Sequence, residues 1–183
     1  YVQMGGLAAA LARRAEALYA ELAPRAQRAA RQVMLRLIAV GEETDNVRRR
    51  VLRSELLAMG EGAADVLDAF GGHRLLSFDR DPVTRGPTVE IAHEALIGEW
   101  DRLRRWIDES RDDLRHERRL AADAAEWQAA DRQDDYLLSG TRLDQTADWA
   151  ATTDLSLDPG ESDYLSAGIA GLDRELDATA PTV

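Results

Sequence analysis

The residues whose types and order could do chemistry lie in one segment, Val89-Glu90-Ile91-Ala92-His93-Glu94-Ala95-Leu96. A histidine immediately after a strand and in the first turn of a helix sits where unpaired backbone N–H groups and the positive end of the helix dipole favour anions, which suits contact with a phosphate. Taken alone, a packed or capping role is the commoner fate of such a residue, and the segment by itself leaves both open. Other chemistry is poorly provided for. A phosphate-binding loop for nucleotide hydrolysis needs freed backbone amides and a lysine on the terminal phosphates. All 23 basic residues here are arginine, so hydrolysis by that route is excluded for this chain on its own. His73, His93 and His116 are isolated from one another, and Asp112-Asp113 and Asp134-Asp135 are neighbours that diverge to different faces, so no metal set is expected. The serines fall in turns or at caps, without a base and an orienting group beside them. The chain therefore reads as non-catalytic, with no cofactor of its own.

The elements that position His93 follow from periodicity and breakers. Gly5-Gly6 ends a short lead-in, and Leu7, Leu11, Ala15, Leu18 and Leu22 recur at helical spacing. Pro24 restarts the chain at a first helical position, and Val33, Met34, Leu37, Ile38 and Val40 predict a second helix that Gly41 terminates. Residues 41–47 read as loop. Val51-Leu52 fits a short strand, and Ser54 a helix N-cap. A further short helix spans Ala63 to Phe70, closed by Gly71-Gly72. The period then falls to two: Leu76 and Phe78, then Val89 and Ile91, flank a turn rich in Asp, Pro and Gly, predicting a β-hairpin with a long tip. A helix from about His93 to Asp108 carries Leu96, Trp100, Leu103 and Ile107 on one stripe. Helix, strand, two short helices, hairpin and helix is the order of a winged helix-turn-helix.

Beyond it only helices are expected: about Arg111 to Arg132, a short piece at Tyr136 to Leu138, one starting at Thr141, and a last one from Asp158-Pro159. There Glu161 reaches back in a capping box, and Leu165, Ile169, Leu172 and Leu176 form the apolar stripe. The fold class is thus mainly α, a winged helix-turn-helix with a small hairpin wing followed by an α-helical domain. The expected divisions are a connecting helix over 1–22, the winged helix over 23–109, an acidic helical domain over 110–176 and a disordered tail over 177–183.

The formal charge of −11 is uneven: residues 1–109 carry net −1 and residues 110–183 net −10. Acidic surfaces repel phosphate backbones, so nucleic acid is an unlikely partner. Arg48-Arg49-Arg50 with Arg53 is the one basic cluster, but the helix that would read bases carries Asp65 and Asp68 and no arginine before Arg74. A solvated or domain-docking face fits it better. Trp100, Trp106, Trp127 and Trp149 fall on apolar stripes and read as core. There is no cysteine and no run of about 18–20 apolar residues such as a membrane helix needs. A cytoplasmic protein without membrane contact is expected. The start at Tyr1, without an initiator Met or a signal peptide, suggests a piece of a longer chain.

Ile91-Ala92-His93-Glu94-Ala95-Leu96 followed by Trp100, Leu103 and Trp106-Ile107 resembles the winged-helix signature of the bacterial novel STAND ATPases, multidomain signalling proteins that often end in WD40 or other repeats. The likeness continues through Glu117-Arg118-Arg119-Leu120, Glu126-Trp127, Tyr136-Leu137-Leu138-Ser139-Gly140-Thr141-Arg142-Leu143, Ala147-Asp148-Trp149-Ala150 and Asp163-Tyr164-Leu165-Ser166-Ala167. Gly5-Gly6-Leu7 with Ala10-Leu11-Ala12 and Ala15-Glu16 resembles the helix that enters the winged helix, so residues 1–170 are covered. In related ATPases a Met-His-Asp motif on the winged helix contacts the β-phosphate of ADP and locks the inactive state. Ala92-His93-Glu94 is similar to it, with Ala92 in place of Met. The resemblance implies His93 as nucleotide sensor and Glu94 as its acidic neighbour. It also implies ATP or ADP with Mg in the parent protein, an upstream ATPase domain of the same chain, and a downstream WD40-type repeat domain as partners. The alternatives are a DNA-binding winged-helix regulator and a structural scaffold without nucleotide contact.

Overall fold

The computed structural model describes residues 2–41 and 45–179. The chain divides into two compact units, Tyr1–Leu114 and Arg115–Val183. In the first, α1 spans Val2–Glu21 and so includes Gly5 and Gly6. Two glycines cost a helix about 1 kcal/mol each relative to alanine, which weakens but does not forbid it. Ala23 is extended and Pro24 opens α2, Pro24–Arg36, at its first turn. The helix expected to run to Val40 stops four residues earlier. Ile38–Ala39 (β1) instead pairs antiparallel with Val47–Arg48 (β2). Leu37, Ile38 and Val40 remain buried, so the core keeps their side chains while β-branching favours a strand backbone. Of the segment read as loop, residues 42–44 lie outside the described residues, and Val47 belongs to β2.

Val51–Leu52 forms β3, followed by α3 (Arg53–Leu57) and α4 (Ala63–Gly72). The N-cap of α3 is Leu52, without a side-chain bond, and Ser54 lies inside the helix, which corrects the cap expected there. Gly62 takes φ 93°, and a Cβ on it would come within 2.8 Å of the Ala26 Cα. Glycine is thus required on two counts where α2 and α4 pack together. The hairpin forms as β4 (Leu76–Arg80) and β5 (Pro87–Ile91), with Phe78 opposite Val89. β3 adds to the far side of β5, giving an antiparallel sheet in the order β3-β5-β4. Leu75 and Leu76 are both buried, whereas Phe78, two residues on from Leu76, is 51% exposed. Its ring covers Gly71, where any Cβ would collide with it at 2.5 Å. At the tip, the Asp81 carboxylate accepts the N–H groups of Val83 and Thr84 at 2.9 and 2.6 Å.

The single helix expected from His93 to Asp108 is two: α5 (Ala95–Glu99) and α6 (Asp101–Ala129). Trp100 breaks it with an extended ψ of 103°. That turn places a buried indole so that its N–H donates to Glu16 of α1 at 2.8 Å. The helix expected to begin near Arg111 is the continuation of α6. Phe70, Trp100, Trp106 and Tyr19 form an aromatic cluster in the first unit, with centroids 5.4–6.5 Å apart.

The second unit is built from the end of α6, a 3-10 turn at Asp134–Tyr136, α7 (Gly140–Thr152) and α8 (Pro159–Thr179). Leu120, Ala124, Trp127, Leu138, Leu143, Tyr164 and Leu165 make its core. The capping box forms as the sequence indicates: Asp158 Oδ1 accepts the Glu161 N–H at 2.7 Å and Glu161 Oε2 the Asp158 N–H at 3.0 Å. The stripe on α8 is only partly used, since Leu165 is buried while Ile169 and Leu176 are exposed. Residues 177–179, read as tail, are the last turn of α8, and 180–183 lie outside the described residues. The chain is mainly helical, with two small antiparallel sheets.

Candidate functional site

His93 and Glu94 lie between the end of β5 and the start of α5, and both are exposed. Their placement follows from what flanks them. Ile91 is buried and pairs with Leu76, and the Ala92 N–H extends the ladder by donating to the Leu75 carbonyl at 2.9 Å. On the other side Leu96 and Ile97 are buried, and their N–H groups donate to the carbonyls of His93 and Glu94, both at 3.0 Å. The backbone of the pair is pinned at both ends while the two side chains face water.

The three histidines differ in company. His73 Nδ1 accepts from Arg14 Nη1 at 2.8 Å, and the His116 ring stacks on Trp149 at 5.5 Å. Among the described residues, the His93 imidazole meets no hydrogen-bond, ion-pair or ring partner, and neither does the Glu94 carboxylate. Burial does not account for His93, and neither does capping.

Arg48 was not singled out from its basic cluster in the sequence, yet it belongs to this site. Its Nη1 donates to the carbonyls of Ile91 and Ala92, each at 3.2 Å, just ahead of His93. The β1-β2 pairing brings it there, and that pairing falls in the stretch read as helix end and loop. Arg50 goes elsewhere, to Glu90 at 3.4 Å and Asp79 at 3.8 Å.

Beside Glu94 opens a cleft of about 710 Å³ whose lining includes Val47, Ile97 and Ile107. Its charged lining is mostly acidic, Asp45, Glu94, Glu99 and Asp108 against Arg104, and Arg104 is hydrogen-bonded to Asp101. α5 is only five residues long, so the dipole at its start is much weaker than a long helix would supply. One imidazole, one guanidinium occupied by carbonyls and a carboxylate rim do not amount to a nucleotide pocket. Among the described residues there is no cluster of three His, Asp or Glu that could hold a metal, and no helix is long and apolar enough to cross a membrane.

A relation to the STAND NTPases is what comparison with known protein families shows. The model of the family Novel STAND NTPase 1 matches residues 1–135, and the chain belongs to that family. The likeness traced over 136–170 therefore lies outside the match. No curated protein and no solved structure matches the chain.

Proposed function

We propose that this chain is the non-catalytic regulatory segment of a STAND-class signalling ATPase, with residues 23–109 as a winged helix that presents His93 to nucleotide held by an ATPase domain. The reading of a winged helix is supported by α2, α3 and α4 preceding a hairpin, and by β3 joining that hairpin in the order β3-β5-β4. The sensing role is carried by one observation: His93 is exposed and, among the described residues, without a side-chain partner, on a backbone fixed at both ends. An imidazole so placed is available to a group arriving from outside, with Glu94 beside it.

The mechanism is a population shift. ADP bound by an ATPase domain and touched by His93 favours the closed arrangement, and only such a difference in affinity can hold the switch off. A repeat domain downstream would receive the change. In the complete ATPase, His93→Ala is expected to speed ADP release and raise basal activity. An ADP dissociation rate equal to wild type would defeat the sensor role.

The DNA-binding alternative draws little support from α4, whose solvent face carries Asp65 and Asp68, or from Arg48 and Arg50, which are engaged within the fold. Titration with nonspecific duplex DNA at low and moderate salt separates the readings: micromolar, salt-sensitive binding would favour DNA.

A further inference from the structure

Helix α1 packs against α5, α2 and α4, and its attachment is uneven along its length. Among its described side chains, Ala8, Ala15 and Leu18 are fully buried, and Leu11, Ala12 and Tyr19 are half-buried, as is Leu22 just past its end. Leu7 is 59% exposed, and a Cβ on Gly5 or Gly6 would meet nothing within 4 Å. By contrast, α2 buries Val33, Met34 and Leu35 as well as three alanines. Fewer fully buried side chains tie α1 down than hold α2.

The polar contacts converge on one turn. Glu16 accepts the Trp100 indole N–H at 2.8 Å, Arg102 Nε at 3.0 Å and Arg102 Nη2 at 2.6 Å. The Arg102 guanidinium lies 4.1 Å from the Tyr19 ring centroid, and Tyr19 meets Trp100 and Trp106 edge-on. A forked guanidinium on a carboxylate is among the stronger polar contacts available, and stacking on Tyr19 adds to it.

We propose that α1 is a releasable latch over the corner between α5 and α6, with Glu16 as its pin. The argument is one of differences between two states. With α1 docked, the Trp100 indole is 2% exposed and depends on Glu16 to satisfy its N–H. Without that acceptor the docked state carries an unsatisfied buried donor, a penalty that water relieves once α1 lifts away. Leu18, two buried alanines and the half-buried Leu11, Tyr19 and Leu22 oppose the release, less than holds α2, and α2, α4 and the β3-β5-β4 sheet hold their own core beneath it. The latch bears on the site because α5, which α1 covers, directly follows His93 and Glu94. It rests on this packing and not on the nucleotide reading.

Hydrogen exchange by mass spectrometry on the full chain tests it. In Glu16→Ala the amides of α1 are expected to exchange about tenfold faster while those of α2, α4 and the sheet keep wild-type rates, the pattern of a local opening. Glu16→Gln should fall between, because its amide oxygen still accepts from Trp100. Unchanged exchange in α1, an equal rise in α2 and α4, or loss of helical signal from the whole chain would each overturn the proposal.

Discussion

The two units use the same helical vocabulary to different ends. Residues 1–114 carry 17 arginines against 19 acidic residues, and residues 115–183 carry 6 against 15. The first unit has two sheets, an aromatic cluster and close backbone approaches. The second gathers around seven buried side chains and relies on directed polar contacts, the capping box and the Tyr164 hydroxyl donating to the Tyr136 carbonyl at 2.9 Å. A small core under net self-repulsion must depend more on each buried residue and each cap. The exposed His93 sits in the better-founded unit, where the backbone around it is held at both ends.

Substitutions in each unit can break this contrast. Trp127→Ala empties the centre of the smaller core and should cost about 3–5 kcal/mol, read by urea denaturation. A loss below 1 kcal/mol would mean that the seven residues are not what holds that unit. In the first unit, Gly62→Ala combines a forced positive φ with a clash against α2 and should cost about 2 kcal/mol or more. Wild-type stability in this variant would show that the contact between α2 and α4 is looser than described. Asp158→Ala removes one half of the capping box and should cost about 1 kcal/mol, detectable as faster exchange at the start of α8.

Acid sharpens the comparison further. Hydrogen bonds from Arg102 hold the Glu16 carboxyl below its ordinary value of 4.5. A depressed carboxyl contributes stability that is fully present above the unfolded value and fades as pH falls through the folded one. Docking of α1 should therefore be constant from neutral pH down to about 5 and weaken below about 4, followed by exchange or by tryptophan emission. Loosening already at pH 6 would point to a different group. The smallest effect is expected at His93: being exposed and without a partner among the described residues, its replacement by alanine should change stability by under about 0.5 kcal/mol. A larger loss in thermal melts would favour a structural role over a sensing one.

Much of this was legible in the sequence because local signals and tertiary packing agree. Pro24, the alternation of Leu76 with Phe78 and of Val89 with Ile91, and the Asp158-Glu161 box each state their structure within a few residues. What was not legible depends on partners distant in sequence. β1 forms because Val47–Arg48 returns to pair with it, and Trp100 interrupts a helical stripe in company with Glu16, 84 residues earlier. Phe78 alternates like an inward residue but lies over a glycine on the outside. At the site, His93 and Glu94 stood out by type and position, whereas Arg48 needed the fold to bring it beside them.

The tip of the hairpin carries a consequence of its own. Val83 is 87% exposed at its apex, on a loop that Asp81 ties by accepting two backbone N–H groups. An apolar knob mounted on so short a stem is held out to solvent in a set direction without help from any other molecule. Those same bonds keep the Asp81 carboxyl below its ordinary range, so strong acid, by protonating it, would leave the knob on a slack tether.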